Sequence, residues 1–92
     1  MKQEQAETIA LGALGWLAAN EDLLPVFMNA SGLSEADLRQ RASEPELLGS
    51  VLDFILMDDE WVVACCDVQQ IPYDRLMRAR AALPGGEQVH WT

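Results

Sequence analysis

The stretch VLDFILMDDEWVVACC, residues 51–66, sets the tightest limits on what this chain can become. It is the most apolar segment, yet Asp58, Asp59 and Glu60 cut it in the middle. A membrane span over these residues would place carboxylates near the bilayer centre at roughly 2.5–3.5 kcal/mol each. Consecutive acids are also unfavourable at the C-terminal end of a helix, where the dipole is negative, and favourable at the start of one. The stretch therefore reads as two core helices, with Asp58 or Asp59 capping the second.

The rest of the chain divides itself by the same kind of signal, and no segment alternates as a strand would. The first helix spans about 5–19, with Ile9, Ala13, Trp16 and Leu17 on one face. Gly12 and Gly15, costly inside a helix, suggest a close approach by a neighbour. Asn20 caps a short helix over 21–30 carrying Leu23, Leu24, Phe27 and Met28, and Gly32 ends it. Ser34 and Asp37 form a capping box for a third helix, in which Leu33, Leu38 and Ala42 face inward. A second box, Ser43 with Glu46, opens the helix that carries Leu47, Leu48, Val51, Leu52, Ile55 and Leu56. The fifth covers 60–70, with Trp61, Val62, Ala64, Cys65 and Val68 on its core face. Pro72 starts the last one, striped with Tyr73, Leu76, Met77 and Ala81, and Pro84 ends it.

These elements make an all-α fold, a compact bundle of five or six short helices. The chain is a single domain over 1–92, with an ordered core of about 5–84 and a C-terminal tail, 85–92. Helices 44–57 and 60–70 are expected to form the spine, with the first helix crossing them through its glycines. A chain of 92 residues in this form has a radius of gyration of about 12 Å.

Composition narrows the function. Fifteen acids against six bases give a net charge of −9, which repels a phosphate backbone and an anionic membrane alike. Cys65 and Cys66 are adjacent and so close no useful loop, which points to a reducing, cytoplasmic setting. The run IALGALGWLAA, 9–19, has the length of a signal-peptide core, but Glu4 and Glu7 outnumber Lys2 before it, so no secretory signal is expected.

No pattern asks for chemistry. Two adjacent cysteines and the lone His90 do not make a metal site, and no cofactor is implied. A single histidine, in the tail, argues against a hydrolytic triad, and no Gly-rich loop follows a strand, so no catalytic residue is assigned and the chain reads as a non-enzyme. A helix-turn-helix-like unit over 34–57 is the one route to nucleic acid. Its second helix would lead with Glu44 and Glu46, which face phosphates badly. The bases are concentrated instead: segment 71–84 carries Arg75, Arg78 and Arg80 against Asp74 alone, +2 net. Pairing with Asp58, Asp59 or Glu60 is the simple account of them; contact with an acidic partner is the other. Trp91, close to the C-terminus, either folds back or meets something else.

SGLSEADLRQRASEPELLGSVLDFILMDDEW followed by IPYDRLMRARAALPGG, ending on Ala79, Arg80, Leu83, Pro84 and Gly85, resembles domain-of-unknown-function family 3572, small proteins found mainly in alphaproteobacteria. The resemblance covers nearly the whole chain. It implies a bacterial, cytosolic all-α domain, and it carries over no functional residue. VVACCDVQQ departs from the pattern, so the cysteines look particular to this member. The expectation is a non-enzymatic protein-interaction or regulatory module. Its partner is another protein or a second copy of itself, with Arg75, Arg78, Arg80 and Trp91 as candidate contacts. The alternative is a nucleic-acid-binding regulator using 34–57.

Overall fold

Local chemistry starts or stops several of the helices. The computed structural model describes residues 1–84, so Trp91 and His90 lie outside it. Over that range six helices follow one another: α1 Gln3–Ala18, α2 Leu23–Ser31, α3 Glu35–Gln40, α4 Pro45–Ile55, α5 Asp59–Gln69 and α6 Arg75–Ala82. None is long and apolar enough to cross a membrane.

The Asn20 carboxamide oxygen accepts from the Asp22 and Leu23 N–H groups, both at 3.1 Å, and so starts α2. Gly32 ends α2 at φ +75°, where its N–H reaches the Met28 carbonyl at 2.9 Å. Ser34 and Asp37 exchange both bonds of a capping box, at 3.1 and 3.0 Å. The Ser34 backbone N–H, then its hydroxyl, hold the Asp37 carboxyl below the usual carboxylate range. Asp58 accepts from the Glu60 N–H at 2.8 Å and opens α5, as the acidic interruption predicts.

The second capping box does not form. Glu44, not Ser43, is the N-cap of α4, because Pro45 takes the first helical position, where its missing N–H costs nothing. The turn before it is closed instead by the Arg41 Nε–Glu44 ion pair at 3.0 Å and by the Glu44 N–H on the Arg41 carbonyl.

One core collects residues from all six helices. The radius of gyration is 12.2 Å, close to the size expected from length. The arrangement differs from the expected spine. α1 lies chiefly against α6 and α4, and less against α5. Its contact line is Ala6, Ala10, Ala13 and Leu17, all fully buried, at the i, i+4, i+7, i+11 spacing of one helix face. Alanine methyls rather than glycines set the approach. Gly15 has nothing near it. Gly12 does serve: a Cβ there would overlap the Gln69 carboxamide, which seats over α1 from the end of α5.

Two more faces depart from the sequence reading. α6 buries Leu76, Ala79 and Leu83, leaving Tyr73, Met77 and Ala81 exposed. Pro72 stands outside the helix and accepts from the Arg75 N–H at 3.1 Å, so α6 starts later than a proline in its first turn would suggest. α5 buries Cys65 and Cys66 together; Trp61 and Val62 are half-buried, and Ala64 and Val68 are exposed. Neighbours on a helix point about 100° apart, and both cysteines are covered because α5 touches α1, α4 and α6.

Arg80 ties the end of α6 to α4. Its Nε donates to Asp53 Oδ1 at 2.6 Å and its Nη1 to the Pro84 carbonyl at 3.2 Å. A Cβ at Gly49 would sit 3.1 Å from that guanidinium, which explains a glycine in the buried middle of α4. The Arg80 side chain is 17% exposed and that of Asp53 57%. Arg80→Ala is expected to cost about 1–2 kcal/mol, from a charge-assisted bond to a half-solvated acid plus the packing of the stem. Arg80→Lys recovers part of it, because an ammonium cannot present two fixed donors in one plane. Urea unfolding measures both; a loss below about 0.3 kcal/mol for the alanine variant would contradict this role.

Candidate functional site

α4 presents little to solvent. Leu47, Leu48, Gly49, Val51, Leu52, Phe54 and Ile55 are buried, and the exposed line is Glu46, Ser50 and Asp53. The helix that would read bases in a helix-turn-helix arrangement therefore shows solvent two carboxylates and a hydroxyl.

The arginines divide. Arg80 turns inward, as described. Arg78 Nε is held by Asp74 Oδ2 at 3.0 Å on the exposed face of α6. Arg75 is exposed and makes no ion pair among the described residues. Intramolecular pairing is thus seen for two of the three, but with Asp53 and Asp74 rather than with residues 58–60.

The cysteines are free and fully buried. Burial pushes the Cys65 thiol up to about 11, against a smaller opposing effect of the Gln69 amide, whose Nε2 donates to Sγ at 3.1 Å. Cys66 is raised by burial first, then by Asp67 and Asp74. At pH 8 the Cys65 thiol, with its pKa of about 11, is about one part in a thousand thiolate, and the thiolate is the reactive form. The native protein should therefore resist iodoacetamide at pH 8 and be alkylated at both positions once unfolded in guanidinium. Fast alkylation of the native protein would contradict the burial described. No cluster of three or more His, Cys, Asp or Glu among the described residues is arranged to hold a metal ion.

What the surface does offer is apolar. Met57 is 78% exposed, Val68 70%, Met77 61% and Tyr73 52%. Three of these side chains border two clefts. One lies between α2 and α4, about 430 Å³, with Phe27, Leu33, Leu47, Phe54 and Met57 in its lining. Its floor is stiffened by aromatics: Phe54 meets Phe27 edge-on at 5.3 Å and stacks on Trp61 at 4.9 Å. The other lies where the end of α4, α5 and the start of α6 meet. It is also about 430 Å³, and Leu56, Val62, Tyr73 and Met77 line it with Asp59 and Asp74. The Tyr73 hydroxyl donates to Asp67 Oδ1 at 3.0 Å, and that bond raises the phenol pKa and fixes the ring beside the cleft.

The sequence reading missed this surface because it placed Tyr73, Met77 and Val68 on core stripes. The available signal was the set Leu76, Ala79, Leu83, which shares a face at i, i+3, i+7 and turns Tyr73 and Met77 outward.

A family model described as a protein of unknown function, DUF3572, matches residues 3–86. No curated protein and no solved structure matches the chain.

Proposed function

We propose that this chain, which belongs to the DUF3572 family of proteins of unknown function, acts as a non-enzymatic interaction module that binds another protein. The observation that carries the reading is the exposure of Met57, Tyr73 and Met77 around two open clefts, of which the one bordered by Tyr73 and Met77 is mainly apolar. A chain that buries Leu48, Leu52, Ile55 and Leu76 completely has the means to cover large apolar groups, so those left in solvent need a reason. Exposed apolar groups gathered in a rimmed patch mark interaction sites, and methionine is the side chain that adapts its shape to a partner.

The nucleic-acid reading has less support. The exposed line of α4 is acidic, the net charge is −9, and two of the three clustered arginines are bonded within the chain.

Quantitative affinity enrichment from the cells that make the protein tests the proposal. The wild type is compared with a Met57→Glu, Met77→Glu double variant, both positions being exposed enough to accept the charge without unfolding. At least one protein enriched near stoichiometrically by the wild type and lost with the variant is the expected result. Recovery of no such protein, across growth conditions in which the chain is expressed, would overturn it.

A further inference from the structure

The cleft between α4, α5 and α6 has a floor and a rim of opposite character, and the contrast describes its occupant. Leu56 and Val62 are half-buried at its base, and Tyr73 and Met77, one turn apart, stand exposed beside it. Asp59 and Asp74 edge it. Asp67, bonded to the Tyr73 hydroxyl, continues the acidic rim along α5, where it borders with Asp59 and Glu60 a second apolar hollow over Val63. Among the described residues, no basic side chain lines either depression.

We propose that this cleft docks a basic amphipathic helix of another protein. The helix seats a large apolar side chain against Val62 and Met77 and sets lysines or arginines against Asp59 and Asp67, Asp74 being already paired with Arg78. This is helix-in-groove recognition, with the charge complementarity that steers encounter and selects the partner. It rests on the interaction reading above and adds the partner's chemistry. A second copy of this chain does not meet the description. Its one arginine-rich helix, α6, already buries its apolar line, Leu76 and Ala79, in its own core, and two chains of charge −9 repel.

Three fluorescein-labelled synthetic peptides test it with the purified full chain. The first carries leucines on one helical face and lysines on the other. The second has the same composition with the leucines scattered around the helix, and the third replaces lysine by glutamate. Anisotropy at about 50 mM salt should show the first peptide binding at least tenfold more tightly than the other two. Raising the salt to about 300 mM, which shortens the screening length, should weaken that binding severalfold. Met77→Glu adds a carboxylate, so purely electrostatic adhesion would strengthen, whereas docking in the cleft should weaken at least tenfold. Asp59→Asn should weaken it severalfold, and an unchanged thermal melt shows that each variant is folded.

Equal binding of the scattered peptide, undiminished binding by Met77→Glu, or no binding at low salt would each overturn the proposal. Preference for the glutamate peptide, lost in Met77→Glu, would overturn the basic partner while leaving the interaction reading intact. That reading fails separately, through an empty affinity enrichment.

Discussion

Leu52→Ala is expected to lower the free energy of unfolding by about 2–5 kcal/mol. Leu52 is fully buried in α4, the helix that buries seven positions around its axis, and its neighbours Leu48, Val51 and Ile55 are equally buried. Removing the isobutyl group takes away transfer free energy and leaves a void that helices packed on several sides cannot readily close. A domain of this size is stable by about 5–14 kcal/mol, so the loss is a large part of the whole. In a thermal melt it corresponds to a fall of roughly 10–30 °C. Leu56→Ala, at a half-buried position beside the cleft, should cost clearly less. A cost below about 1 kcal/mol for Leu52→Ala, or a larger cost for Leu56→Ala, would mean that the core is centred elsewhere.

Ala10→Leu is expected to destabilise by about 1–3 kcal/mol, with the opposite cause. Ala10 lies on the line Ala6, Ala10, Ala13 by which α1 meets α6 and α4, and none of the three is exposed. Three extra carbons there must push helices apart or force strained rotamers. On the same helix Gly15→Ala should stabilise, by up to about 1 kcal/mol, because nothing beyond its chain neighbours and its own helix backbone lies within 4 Å of the added methyl and alanine is the better helix former. Opposite signs five residues apart, read by chemical denaturation, would locate the packed face of α1. A neutral Ala10→Leu would contradict the alanine contact.

The elements were legible where a signal acts within a few residues. The Ser34–Asp37 box, Gly32 at positive φ and Asp58 as the cap of α5 are local, and each stands where the sequence puts it. The Ser43 box failed for a local reason too, since Pro45 outcompeted it for register. What could not be read was which side of a short helix is covered, because that depends on neighbours distant in sequence. α5 buries both cysteines because three other helices lie against it. α6 turns Met77 outward because its Leu76–Ala79 line is taken up by the core it shares with α1 and α4, and Tyr73, in the turn before it, is exposed as well. The candidate surface was illegible for the same reason: Leu56, Val62, Tyr73 and Met77 were each assigned inward, one helix at a time. Of the residues singled out as partner contacts, Arg75 and Arg78 are exposed, Arg80 is committed to Asp53, and Trp91 lies outside the described residues.

The central claim is that another protein occupies the surface around Met77. A photoreactive amino acid placed at position 77 tests it most directly, with the same residue at exposed Glu4 on α1 as the comparison. After irradiation of living cells that express the full chain, the account predicts a discrete higher-mass adduct from position 77 and none from position 4. No adduct at position 77, or the same adducts from both positions, would contradict it.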